Sequence, residues 1–238
     1  MKTILVAWAW AIWIRLWAQL QKWGHTVTLL WRKKLFTFWN FVKLNWKKYI
    51  MPKKIAELAK GSHFDIIFIC TKLHDTLNVL QNIQENKISF WHIIAIQNWL
   101  VPDNFYNKSY FKEWLTTISI YEWHTLWNNA ITFTYSSTFP WQVENSKTWV
   151  FISKILQGSW IPCTPSNNIQ IERAKKLLLN TWVNWLSAIY KMNIWDLLEE
   201  KESEITALFE ESYNILSQKY QIWSMKWQRK WRVNEQWN

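Results

Sequence analysis

Lys176, Asn180 and Asn184 stand four residues apart in a stretch patterned as a long helix, so an amine and two carboxamides share one helix face. That row suits a polar substrate bearing a carboxylate, although the same spacing also fits an ordinary solvated stripe. A second constellation opens the chain, in Thr3-Ile4-Leu5-Val6-Ala7-Trp8-Ala9-Trp10-Ala11-Ile12-Trp13. Read with glycine in place of Trp8, Trp10 and Trp13, it becomes a short apolar strand, a G-x-G-x-x-G turn and the start of a helix, the fingerprint of a dinucleotide site. The first glycine makes the tight turn, the second lets the backbone approach a pyrophosphate, and the third lets helix and strand pack closely. An indole at any of the three fills space that a cofactor needs. Taken as written, the run is instead a buried aromatic stretch at helical spacing.

Glycine is scarce throughout. The chain has 23 Trp and 3 Gly in 238 residues, where ordinary usage of about 7% would give roughly 17 glycines. The Trp fall at turns and loop starts, as in Asn98-Trp99, Trp127-Asn128 and Trp195-Asp196, which are glycine positions. One reading accounts for both facts: most of these Trp are glycine codons translated under the wrong genetic code, for example a reassigned stop codon. The rival reading takes the Trp as genuine, making the chain an aromatic, basic module for single-stranded nucleic acid or a membrane surface. Binding Trp should then gather on one face.

Three more positions bear on chemistry. An NAD site usually has an acid after its second strand to hold the ribose 2′-hydroxyl, whereas this chain reads Leu29-Leu30-Trp31-Arg32-Lys33-Lys34. A guanidinium there suits a 2′-phosphate, which favours NADP over NAD, with a solvated basic loop as the alternative. Lys72 and Asn98 follow the third and fourth predicted strands, at the carboxyl edge where open α/β sheets bind ligands.

The elements that must position these residues alternate β-rich runs with helical patterns, which predicts βαβ units and a mainly parallel sheet. Strands are expected over 3–7, 26–30, 65–70, 93–96, 116–120 and 130–135, with helices over 12–22 and 75–83. The last strands follow one another directly, predicting an antiparallel edge. Gly, Pro, Ser and Asn mark 158–168 as a linker, and two long helices follow over 171–190 and 196–219. The fold class is therefore α/β, a Rossmann-type domain over 1–165 followed by an all-helical domain over 166–238. Acids at Glu199, Glu200, Glu202 and Glu204 would complement the dipole of the last helix.

A formal charge of +11 would ordinarily raise nucleic acid or membrane as a partner. Here the Lys and Arg are scattered, with one dense cluster at Lys226, Arg229, Lys230 and Arg232, and neither partner is expected. Cys70 and Cys163 have no metal-ligand spacing and form no disulfide framework, and the five His show no ligand pattern. No metal site is expected, and a reducing, cytoplasmic compartment is. The apolar run after Met1-Lys2 imitates a signal peptide but ends at Arg15, too short to span a bilayer. Oligomeric state has no signature here.

With Trp read as glycine, the pieces together resemble ketopantoate reductase (2-dehydropantoate 2-reductase). Ala7-Trp8-Ala9-Trp10-Ala11-Ile12-Trp13 matches the family's GAGAIG turn, and Gly24-His25-Thr26-Val27 leads to Arg32. Thr71-Lys72, the Gln97-Asn98-Trp99-Leu100 turn and the helix Lys176-Leu177-Leu178-Leu179-Asn180-Thr181-Trp182-Val183-Asn184 continue the match. The resemblance implies a Rossmann domain joined to a helical one, with ketopantoate in the cleft and NADP(H) as cofactor in pantothenate and coenzyme A synthesis. It implies Lys176 as the general acid, Asn180 and Asn184 as substrate-orienting residues, and Asn98 against both cofactor and substrate. Trp8, Ala9, Trp10, Ala11, Ile12, Trp13, Arg32 and Lys72 would hold the cofactor. A reductase of the same architecture acting on another 2-oxo acid is the alternative. The family's later helices carry a Ser and a Glu of the substrate site for which this chain has no counterpart, so a truncated helical domain is expected.

Overall fold

The computed structural model describes residues 1–7, 11–30, 41–44, 47–96, 115–119, 122–127, 130–135, 140–146, 148–220 and 222, with the backbone alone for 11–14, 41–44, 73, 115–117, 119, 122–127 and 130–135. The chain forms two compact units, Met1–Ile169 and Gln170–Asn238. The first begins β1 (Thr3–Ala7), α1 (Ala11–Lys22), β2 (Thr26–Leu30), then β3 (Phe41–Leu44), β4 (Lys47–Ile50), β5 (Lys53–Ile55) and β6 (His63–Ile69). It continues α2 (Leu73–Glu85), β7 (Ser89–Ala95), β8 (Leu115–Ser119), β9 (Glu122–Trp127), β10 (Ala130–Tyr135), β11 (Trp141–Glu144), α3 (Trp149–Gly158) and β12 (Cys163–Ser166). The second holds α4, which starts at Ile169 and runs to Tyr190, then α5 (Ile194–Glu200) and α6 (Glu202–Tyr220).

The main sheet has the order β12-β11-β8-β7-β6-β1-β2-β5, and β3, β4, β9 and β10 form a second one. From β5 to β8 every pairing is parallel. Such strands are buried on both faces, so they read as nearly continuous apolar runs, and period two decides which layer each side chain joins. Ile4, Val6, Ile66, Phe68 and Ile94 pack with Leu16, Trp17 and Leu20 of α1 and with Ile152 and Leu156 of α3. Leu5, Ile67, Ile69 and Ile93 point the other way, toward Leu80 and Ile83 of α2. Each such residue, fully buried, contributes about 1.5–3 kcal/mol.

At the opposite end of the strands, Asp65 ties β6 to β1. Its carboxylate accepts hydrogen bonds from the Thr3 backbone N–H at 2.6 Å and the Thr3 hydroxyl at 2.8 Å, with the Lys2 ammonium at 3.6 Å. Burial opposes the charge, but the Thr3 hydrogen bonds and Lys2 prevail and hold the carboxyl below its ordinary 3.8.

Helix ends show where the backbone demands glycine. After α1, Gly24 adopts φ +80° while its N–H bonds the Gln21 carbonyl and the His25 N–H bonds that of Leu20. After α3 the arrangement repeats with Trp160 at φ 58°, its N–H on Gln157 and the Ile161 N–H on Leu156. Both are Schellman ends, whose left-handed residue is usually glycine. Trp160 is 72% exposed, so its indole gains little by burial there.

Three expectations need correction. The 158–168 stretch is no linker: it holds the end of α3 and β12, which pairs in parallel with β11. Pro162 and Pro165 are tolerated because β12 is an edge strand. The predicted 196–219 helix is two helices broken at Lys201 (φ −126°), so Glu199 and Glu200 end α5, while Glu202 and Glu204 lie in the first turn of α6. The late edge is mixed, since β8 joins β7 in parallel and only β11 runs antiparallel to it. A strand at 141–144 and a helix at 149–158 were missed.

Two stability measurements follow. Asp65→Asn should destabilise by about 1.5–3 kcal/mol near neutral pH. A carboxyl with a lowered folded pKa stabilises above 3.8 and loses that contribution as pH falls through the folded value, so urea titrations should show the gap closing in acid. Trp160→Gly should raise stability by about 0.5–1.5 kcal/mol. Relief of the left-handed strain, about 1–2 kcal/mol, outweighs the exposed stack on Trp23 at 6.5 Å, about 0.5 kcal/mol at that separation.

Candidate functional site

One edge of the parallel sheet gathers the ends of four strands. Ala7 of β1 is level with Leu30 of β2 and with Ile69 of β6, and Ile69 is level with Ala95 of β7. Pairing continues one residue further, the Cys70 N–H reaching the Ala7 carbonyl and the Ile96 N–H that of Ile69, both at 2.9 Å. The chain turns back between β1 and β6, having placed β2 and β5 on one side and β6 to β8 on the other. That is the switch point at which open α/β sheets bind ligands. α1 starts at Ala11, with three residues between it and the end of β1, so this frame fits a dinucleotide whose pyrophosphate meets a helix N-terminus. Trp8, Ala9, Trp10, Arg32 and Asn98 follow these strand ends in sequence and lie outside the described residues, as do the side chains of Ala11, Ile12 and Trp13.

Lys72 is described. It is the N-cap of α2, extended at φ −65° and ψ 154°, and its side chain is exposed at this edge. The turn beneath it is fixed by Thr71 and Thr76, whose hydroxyls lie 2.9 Å apart, and by the Thr76 hydroxyl donating to the Lys72 carbonyl at 3.2 Å. Cys70, at the same edge, is buried, and burial pushes its thiol well above the ordinary range.

In the second unit α4 is one continuous helix, so Lys176, Asn180 and Asn184 do share a face. Exposure grades along it: Lys176 is buried, Asn180 half-buried and Asn184 exposed. Burial, and then the charge of Arg173, lower the Lys176 amine from 10.5 to about 7. An amine near 7 can both hold and release a proton at working pH, which general acid catalysis needs. Arg173 was not among the residues singled out from the sequence. It is only 2% exposed and sits three residues before Lys176, a spacing legible as the first member of an Arg-x-x-Lys-x-x-x-Asn-x-x-x-Asn row.

Fold and edge define a class: an α/β domain of the Rossmann kind, followed by an all-helical unit. Within that class, residues 11–101 match the family model described as ketopantoate reductase PanE/ApbA, which bears out the resemblance read from the motifs. A search of curated protein sequences returns no match. Among solved structures, a protein of Ralstonia solanacearum MolK2 described as a ketopantoate reductase is similar at TM-score 0.73 and 15% identity, over 90% of this chain and 76% of its own. The 2-dehydropantoate 2-reductase of Geobacter metallireducens gives 0.72 and 14%, over 90% and 75%. A D-mandelate dehydrogenase in a ternary structure with NADH and anilino(oxo)acetate gives 0.73 and 17%, over 90% and 73%. At these identities the likeness is one of fold. No helix among the described residues is long and apolar enough to cross a membrane.

Burying an ammonium opposes folding. The unfolded chain binds a proton at Lys176 up to 10.5 and the folded one only to about 7, so stability should rise with pH across that window. Lys176→Met should therefore stabilise the protein at pH 7, by about 1–4 kcal/mol, with the advantage shrinking toward pH 10.5. Thermal melts at the two pH values check it.

Proposed function

We propose that this chain is an NADPH-dependent reductase of a 2-oxo acid, with ketopantoate the substrate and pantoate the product, acting in the cytoplasm in pantothenate and coenzyme A synthesis. The observation that carries the reading is the level edge of β1, β2, β6 and β7 at the switch point, with Lys72 at that edge and the fingerprint residues, Arg32 and Asn98 following these strands in sequence. NADPH, when bound, supplies the hydride that reaches C2 of the substrate. The N–H groups of the first turn of α1 receive the pyrophosphate, Arg32 receives the 2′-phosphate, and Lys72 adds charge beside them. Asn98 contacts both ligands. Lys176 gives its proton to the keto oxygen and stabilises charge developing there, while Asn180 and Asn184 orient the substrate.

Indoles at 8, 10 and 13 oppose this chemistry, and the reading that these Trp are recoded glycines removes the conflict. Trp160 supports it from outside the motif, since it occupies a left-handed helix end equivalent to that of Gly24. Against the aromatic-module alternative, Trp17, Trp141 and Trp182 are buried and cannot serve a surface, although Trp23, Trp91, Trp160, Trp185 and Trp195 are exposed. A different 2-oxo acid is the second reading, favoured by the fold shared with a D-mandelate dehydrogenase.

Peptide masses of the protein translated in its own host should show glycine at 8, 10, 13 and 160; Trp at all four contradicts recoding. That protein should bind NADPH more tightly than NADH, and Arg32→Ala should cut the preference by about 10- to 100-fold, the loss of a charge-assisted partner. Equal affinity for the two before the change would refute the NADP assignment.

A further inference from the structure

The polar row on α4 does not begin at Lys176. With about 100° of turn per residue, Arg173, Lys176, Asn180 and Asn184 fall within an arc of roughly 80°, and Asn180 and Asn184 lie about 20° to either side of Arg173. Arg173 and Lys176 are the buried end of that arc, 2% and 8% exposed. Glu172 reaches Lys175 at 2.9 Å, and Lys175 projects from the far side of the helix, about 160° from Arg173.

We propose that Arg173 is the carboxylate receptor of the substrate site, taking the acid group of a 2-oxo acid while Lys176, one turn on, faces the keto oxygen. The inference rests on the reductase reading above and adds to it a residue and a selectivity. A 2-oxo acid carries its carboxylate and keto group on adjacent carbons. Side chains at i and i+3 leave the helix about 5–6 Å apart, a spacing from which two long cationic side chains converge on adjacent groups. The planar guanidinium matches a carboxylate through two parallel N–H bonds, which an ammonium cannot do. Like charges one turn apart repel in a buried setting, and an anion bound across both offsets that repulsion.

The test uses the full 238-residue chain as its own host translates it, with ketopantoate, pyruvate and phenylglyoxylate as substrates, each beside its methyl ester. Calorimetric titration with pantoate and its uncharged lactone gives a readout apart from turnover. Arg173→Met should raise KM for the acid and Kd for pantoate on the order of 10- to 100-fold. Ester and lactone values should stay within about threefold, so the preference for the charged ligand collapses. Arg173→Lys, which keeps the charge and loses the fork, should fall between, and it carries the test if the Met variant does not fold. Equal loss for acid and ester, or no loss for either, overturns the proposal while leaving a reductase. Should ketopantoate fail where another 2-oxo acid shows the Arg173-dependent preference, the receptor role stands and the ketopantoate reading falls. If no 2-oxo acid is reduced and pantoate does not bind, both fall.

Discussion

Parallel pairing at β1 is the constraint on which the rest of the first unit depends. With Ala7 level with both Leu30 and Ile69, and Ile69 with Ala95, β1, β2, β6 and β7 end at the same height. Register in a two-sided sheet is strongly enforced, because a slip of one residue would exchange the layer under α1 and α3 for the layer under α2. Thr3 and Asp65 secure the same register at the other end of the strands. The switch point is thus a consequence of packing, and a dinucleotide site there needs the turn after β1 to leave room.

That room is a question of stereochemistry as much as volume. Gly24 and Trp160 close their helices with the same hydrogen bonds and the same handedness of backbone, yet one has no Cβ and the other carries the largest side chain. Lys87 and Lys191 also hold positive φ, so a side chain is tolerated at such ends at some cost. The turn of a dinucleotide fingerprint is stricter: there the absent side chain is what lets a ligand approach.

Much of this was legible in the chain itself. β1, β2 and β10 match the expected spans, and α4 differs by two residues at its start, because unbroken apolar runs and a strong helical period leave few alternatives. The break at Lys201 was not legible, since no Gly or Pro marks it; Asn193 caps α5 by accepting from the Trp195 and Asp196 N–H groups, a local signal that a single long period conceals. β12 was hidden by its prolines, which suit an edge strand as well as a loop. Among the proposed site residues, Lys176, Asn180 and Asn184 were legible as one helix face by spacing and took their roles from the family resemblance, whereas Arg173 was not singled out. Its burial is a tertiary fact that composition does not carry.

The proposed chemistry is hydride transfer to a 2-oxo carbon, with Lys176 giving the proton to oxygen. Its most direct measurement is the fate of an isotope: the host-translated protein is given ketopantoate and NADPH deuterated at the transferable position of the nicotinamide, and the product is examined by mass spectrometry and NMR. The account predicts pantoate bearing a single deuterium at C2. Pantoate without label at that carbon, or no reduction of any 2-oxo acid by a protein shown to bind NADPH, would contradict it.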